Sequence, residues 1–130
     1  MEELSSIKPV KYEKRMPAPI AQIGLNQLIK IDRFNQKRRE SVYIWEKWCD
    51  KNGFKKPLLL KNSIPVFLRY PVLISKKMKM NNRWAVDSLG IVLGKWFISH
   101  THPVETDFQG FPNADTAVNC CINFPTILEE

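Results

Sequence analysis

Residues 19–52 read PIAQIGLNQLIKIDRFNQKRRESVYIWEKWCDKN, and the spacing of apolar side chains in this stretch decides the fold. The apolar positions that recur at three- and four-residue steps are Ile20, Ile23, Leu28, Ile31, Phe34, Val42, Trp45 and Cys49. Their period predicts one amphipathic helix from about Pro19 to Asn52, ended by the Asn52-Gly53 pair. At about 1.5 Å per residue this helix would be roughly 50 Å long, longer than a small domain needs.

A helix longer than its own domain is expected to pack against something outside it. A coiled coil fits poorly, because Gly24, Gln27, Asn35 and Arg38 interrupt the apolar seam. One small sheet cannot bury the whole face that runs from Ile31 to Trp48. We therefore expect either self-association or a partner polypeptide that covers the rest.

The remainder of the chain predicts a small sheet covered by further helices. Residues 63–74 and 91–99 are rich in Val, Ile and aromatic side chains and predict two strands. Helices are expected over 77–89, ending at Gly90, and over 113–121, capped by Asn113 or Asp115. Residues 1–16 are polar, basic and interrupted by prolines, which predicts an arm or linker before a domain over 17–130. The predicted fold class is α+β.

Composition limits the partners that this chain can have. The 130 residues carry a net charge of +7, which favours an anionic partner. The densest basic run, over residues 30–39, contains the acidic Asp32 and is followed directly by Glu40. This mixture is typical of a solvated helix face, so nucleic acid is the less favoured partner. No stretch is long enough to span a bilayer, and no signal peptide precedes the domain, so we expect no membrane partner and a cytoplasmic protein. Three cysteines without a CxxC spacing predict reduced thiols.

Few residues qualify as candidates for chemistry. His100 and His102 lie two apart and could face the same way, with Glu105 and Asp107 nearby, but no convincing set of metal ligands follows, so no metal site is predicted. Cys120 and Cys121 lie in an apolar stretch that predicts buried, inert thiols in a helix. No glycine-rich phosphate loop is present. The sequence therefore predicts no catalytic residue.

Three stretches, in order, resemble one enzyme family. They are RMPAPIAQIGLNQLIKIDRFNQKRRE (15–40), VDSLGIVLGKWFISHTHPVE (86–105) and FPNADTAVNCCINFPTIL (111–128). The first is similar to the helix that follows an Asn-Tyr-Arg-Met turn in DegT/DnrJ/StrS aminotransferases. The second resembles a helix-to-strand segment before the sugar-binding loop, and the third resembles the terminal helix with its closing Asn-Leu-Pro-Thr-His segment.

The resemblance implies the small C-terminal domain of a fold-type I enzyme, with the long helix packed on the sheet. Members use pyridoxal phosphate to transfer an amino group to a nucleotide-linked keto-sugar, for polysaccharide biosynthesis among other routes, and are typically homodimers. The lysine that holds the cofactor lies upstream of the resembling region. The resemblance therefore implies that this chain alone binds no cofactor and is inactive, and whether to class it as an enzyme stays open.

Two features of the resembling region imply site residues. Arg15 matches the arginine of the family's turn near the dimer interface, which implies a contact on the cofactor side of the neighbouring subunit. Glu13 stands where the family has an asparagine, and its carboxylate would repel a phosphate. The loop that begins at His100 matches the sugar-binding side, which makes His102 and His100 the candidate substrate contacts.

Two other classes of function stay open at this point. The same fold could serve as a non-catalytic interaction module that pairs with another chain or an anionic ligand. The charge also allows a small basic nucleic-acid-binding protein, although this fits the residues less well.

Overall fold

A computed structural model describes residues 15–93, 98–101 and 110–127. The order of elements is α1 (Ala18–Leu28), α2 (Ile31–Asn52), β1 (Arg69–Leu73), α3 (Lys76–Met80), α4 (Arg83–Leu89), α5 (Pro112–Cys120) and β2 (Cys121–Pro125). The described residues thus form a small α+β protein with a two-stranded sheet, as the predicted fold class required. Residues 1–14, most of the predicted arm, lie outside the described residues.

The predicted single helix over 19–52 is two helices in the structure. The break falls at Ile29 and Lys30, where the amide of Lys30 bonds to the carbonyl of Gln27, three residues back instead of four. Lys30 keeps a near-helical backbone with φ −97° and ψ −1°, so one tightened turn separates the helices. The prediction of one uninterrupted helix was therefore wrong. The break was missed because no glycine or proline stands at Ile29 or Lys30 to indicate it in the sequence.

Helix ends follow the predicted glycines. Gly53 and Gly90 have φ values of 72° and 68°, the left-handed conformation that ends a helix most cheaply at glycine. The helix predicted over 77–89 is divided into α3 and α4 at Asn81 and Asn82. Asparagine favours such turns, and the side chain of Asn82 donates a 2.6 Å hydrogen bond to the carbonyl of Leu93.

The sheet contains one strand where the sequence predicted a strand and one where it did not. β1 lies inside the predicted segment 63–74, whereas β2 was expected only as a terminal segment. The strands are antiparallel, with Tyr70 opposite Phe124 and Val72 opposite Ile122. In the strand predicted over 91–99, the described residues 91–93 and 98–99 are not in strand conformation, and residues 94–97 lie outside the described residues.

The core forms where α2 meets this sheet. Ser41, Trp45 and Cys49, spaced by four residues, are the buried side chains of α2. Trp45 stacks on Phe124 with ring centroids 4.4 Å apart, and its indole N–H donates a 2.6 Å hydrogen bond to the carbonyl of Pro125. The other buried apolar side chains are Tyr70, Val72, Ile74, Ala85, Leu93 and Ile122. Trp48 also meets Phe124 edge-on, with ring centroids 5.1 Å apart. Two aromatic contacts and one hydrogen bond among the described residues therefore attach α2 to β2.

Candidate functional site

The structure describes two of the three predicted site residues. Arg15 is exposed and precedes α1. His100 lies in the short described stretch 98–101 and is half-buried. His102 lies outside the described residues, as do Glu13, Glu105 and Asp107, so the loop contacts predicted for them stay predictions.

The His100 side chain makes a short hydrogen-bond contact with Asp115. Its Nε2 atom lies 2.7 Å from Oδ1 of Asp115, and only 11% of the histidine side chain is exposed. Asp115 lies in the first turn of α5, where a carboxylate is favoured by the helix dipole. The carboxylate fixes the orientation of the imidazole ring, a common way to prepare a histidine for binding or proton transfer.

Asp115 was predicted in a different role. The sequence favoured Asn113 or Asp115 as the cap of the last helix, but the structure places Phe111 at the cap and Pro112 at the first helical position. A proline suits that position because it has no N–H to leave unpaired. Asp115 is therefore inside the helix, where its side chain can reach His100.

A small cavity of about 250 Å³ adjoins this pair. It is lined by His100, Thr101, Phe111 and Ala114. The volume is just below the range of roughly 300–1,000 Å³ that drug-sized ligands occupy, so the cavity suits a small group. An imidazole, a threonine and an aromatic ring together can bind a hydroxylated ring by one hydrogen bond and one apolar face.

Lys79 is a buried lysine, with 4% of its surface exposed. Its ammonium donates a 2.6 Å hydrogen bond to the carbonyl of Val118, in the last turn of α5, where a positive charge is favoured. Burial lowers the pKa of Lys79. Lysines with a lowered pKa can form Schiff bases, but this ammonium is held against the end of a helix.

The thiols differ from their predicted setting. Cys121 is the first residue of β2, not part of a helix, and both Cys120 and Cys121 are half-buried. Burial raises the pKa of the Cys121 thiol, and likewise that of the fully buried Cys49. A raised pKa favours the protonated, unreactive form, so neither thiol is suited to nucleophilic attack.

Within 15–93, 98–101 and 110–127, no group of three His, Cys, Asp or Glu side chains could hold a metal ion. Among the helices of these same ranges, none has the length and apolar content needed to cross a membrane.

Comparison with known proteins gave no match. No family model, curated protein or solved structure matches this chain.

Proposed function

We propose that this chain is the C-terminal domain of a pyridoxal-phosphate-dependent nucleotide-sugar aminotransferase, and that the cofactor lysine belongs to a separate large domain. The sequence resemblance over 15–40, 86–105 and 111–128 supports this proposal. The fold class agrees with it, since a helix packed on a small sheet is what a fold-type I small domain requires. The finer assignment to fold-type I rests on the resemblance.

The observation that carries the proposal is the exposure of the apolar side chains of α1. None of its side chains is buried, and the apolar Ile20, Ile23 and Leu28 are each more than half exposed. The stretch 16–29 contains no charged residue. An uncharged apolar helix that the domain leaves uncovered is the expected signature of a surface meant for another domain.

The neighbouring groove supports the same conclusion. A cavity of about 390 Å³ lies between α1 and α2, lined in part by Leu28, Phe34 and Ile127. Arg38 also lines it, and the Nε atom of Arg38 is buried without a hydrogen-bond partner among the described residues. Apolar side chains and one carbonyl or carboxylate from a large domain would fill this groove and satisfy the guanidinium.

Under this proposal His100 is a substrate contact on the sugar side, and Arg15 faces the cofactor side of a neighbouring subunit. His102 keeps the same predicted role in the loop. The His100–Asp115 pair and its small cavity suit a sugar hydroxyl. No residue of this chain performs the amino transfer, so the chain contributes binding surface only.

The test is co-expression. We expect the DNA upstream of the Met1 codon to encode a large domain with the cofactor lysine, and the two polypeptides to co-purify with the visible absorption of lysine-bound cofactor. The variant Ile23→Asp should disrupt the complex, whereas Val92→Asp, at an 83% exposed position outside α1, should not. An upstream sequence without such a reading frame would contradict the proposal.

A non-catalytic interaction module of the same fold is the second candidate. Glu13 favours it, since a carboxylate replaces the residue that would face a phosphate. The same experiment separates the two functions: a module gives a complex that depends on Ile23 but shows no absorption from lysine-bound cofactor. Nucleic-acid binding, the third candidate, requires a salt-dependent gel shift with single-stranded DNA or RNA.

A further inference from the structure

The segment between α2 and β1 contains an exposed apolar loop, residues 57–64. Leu58, Leu60 and Ile64 are 100%, 82% and 81% exposed. Pro57 begins the loop and Pro65 follows it directly, and both prolines are half-buried. Single exposed leucines are ordinary on protein surfaces, but several in one short loop indicate a contact with something apolar.

Local hydrogen bonds hold this loop in a defined turn. The amide of Ser63 donates to the carbonyl of Leu60 at 3.1 Å, and the Ser63 hydroxyl donates to the same carbonyl at 2.7 Å. Asn62 takes a left-handed backbone conformation with φ 64°, which asparagine tolerates better than most residues. The turn therefore presents its leucines to solvent in a fixed arrangement.

The charge around the loop is of one sign. Residues 51–86 contain nine Lys and Arg side chains and no Asp or Glu, whereas the other residues carry eleven basic and thirteen acidic side chains. The whole positive excess of the chain therefore lies in this segment. Lys55, Lys56 and Lys61 flank or belong to the loop and are exposed. Of these, Lys56 makes a 2.8 Å ion pair with Asp50.

Three other occupants fit this surface less well. A second copy of the chain would bring the same lysines face to face across a two-fold axis, with charge repulsion. Single-stranded nucleic acid binds through exposed aromatic rings, but the loop contains no aromatic residue, and Trp48, Phe54 and Trp84 stack on one another. An added protein strand needs backbone donors, and prolines at both ends of the loop supply none.

We propose that the apolar loop binds the surface of a bilayer that contains anionic lipids. Leu58, Leu60 and Ile64 enter the boundary between headgroups and acyl chains, while Lys55 and Lys61 remain among the anionic headgroups. The expectation of no membrane partner came from the lack of a spanning stretch, and a surface contact needs no span. This inference does not depend on the proposed aminotransferase function, because it concerns another surface and needs no large domain.

Vesicle co-sedimentation of the purified full chain tests the proposal. Binding is expected to vesicles of mixed phosphatidylcholine and phosphatidylglycerol at low salt, and not to vesicles of phosphatidylcholine alone. The double variant Leu58→Asp/Leu60→Asp should reduce partitioning at least about tenfold. Replacing Lys55 or Lys61 with glutamine should reduce it by about fivefold each, and added salt should act in the same direction.

Val92→Asp is the control matched to the single variant Leu60→Asp, because the two side chains are 83% and 82% exposed and each substitution adds one negative charge. It should leave partitioning unchanged, and circular dichroism should show that every variant remains folded. Failure of the chain to bind anionic vesicles would overturn the proposal, as would equal loss with Val92→Asp. Salt-dependent binding to single-stranded RNA without vesicle binding would assign the surface to nucleic acid. A dimer that Leu58→Asp dissolves, again without vesicle binding, would assign it to a second copy.

Discussion

The two long helices of this molecule have similar apolar patterns and opposite surroundings. In α2, the face that carries Trp45 and Cys49 is buried against the sheet. In α1, the corresponding isoleucines face solvent and no side chain is buried. The difference shows that the spacing of apolar residues identifies which face of a helix is apolar. Whether that face is buried depends on side chains from elsewhere in the chain or from another molecule.

The residues that bury the apolar face of α2 come from a distant part of the sequence. Phe124 and Pro125 reach Trp45 from about eighty residues away, and Thr126 continues the contact by donating a 2.7 Å hydrogen bond to the carbonyl of Leu68. Because none of the described residues buries a side chain of α1, this helix contributes little to the stability of the isolated domain. Substitutions in the two regions should therefore differ strongly in their effect on the free energy of unfolding.

The largest effect is expected for Phe124→Ala. Phe124 is fully buried and contacts both Trp45 and Trp48, so its loss leaves a cavity under α2. Removal of a buried phenylalanine lowers the free energy of unfolding by about 3–5 kcal/mol. Urea denaturation followed by circular dichroism measures this change, and a loss below about 1 kcal/mol would mean that α2 is not held by β2 as described.

A smaller loss is expected for Trp45→Phe. The new ring can still stack on Phe124, but the hydrogen bond from the indole N–H to the carbonyl of Pro125 is removed. Leaving a carbonyl unpaired in a protein interior costs about 1–3 kcal/mol. Trp48→Phe serves as the control, since the Trp48 indole makes no hydrogen bond to a described residue. Equal losses in the two variants would show that ring volume, not the hydrogen bond, attaches α2 to β2.

Local signals in the sequence were enough to predict part of this fold. The helix ends at Gly53 and Gly90 were predicted because a left-handed residue after the last turn is a local requirement. The strand β2 was missed, although Ile122 and Phe124 alternate with more exposed residues as a half-buried strand requires. Its segment is short, contains Asn123 and Pro125, and acquires its conformation by pairing with β1 across some fifty residues.

In the candidate site, too, contacts between distant residues could not be predicted from the sequence. His100 was selected from its own loop, but its partner Asp115 lies on another element, and nothing in the spacing of the two residues indicates a contact. Pairings of this kind depend on how the elements pack, which periodicity does not specify. The charge asymmetry of residues 51–86, in contrast, is visible in the sequence and could have been found there.

The pH dependence of the free energy of unfolding tests whether the Tyr70 hydroxyl is buried. It is buried, its hydroxyl has no hydrogen-bond partner among the described residues, and burial raises the pKa of Tyr70. Above about pH 10 the unfolded chain loses this proton while the folded chain keeps it, so the free energy of unfolding falls as pH rises. Tyr70→Phe should remove that part of the alkaline loss, and near pH 7 it should leave stability unchanged or raise it by up to about 1 kcal/mol.

Tyr43, which is 58% exposed on α2, supplies the control for this measurement. Tyr43→Phe should retain the alkaline loss of stability that the wild-type protein shows. Chemical denaturation repeated between pH 7 and 11 would compare the three proteins. Identical alkaline slopes for wild type and Tyr70→Phe would show that the Tyr70 hydroxyl reaches water, and that the sheet side of the core is looser than the structure indicates.

The smallest effect is expected for Ile23→Ala, the counterpart of Phe124→Ala in α1. Ile23 is 57% exposed, so the substitution removes little buried surface, and alanine is the better helix former. The free energy of unfolding should change by less than about 0.5 kcal/mol. A loss of more than 1 kcal/mol at low protein concentration would mean that α1 packs within its own domain. A loss that appears only at high concentration would mean that a second copy of the chain covers α1, because only an intermolecular contact depends on concentration.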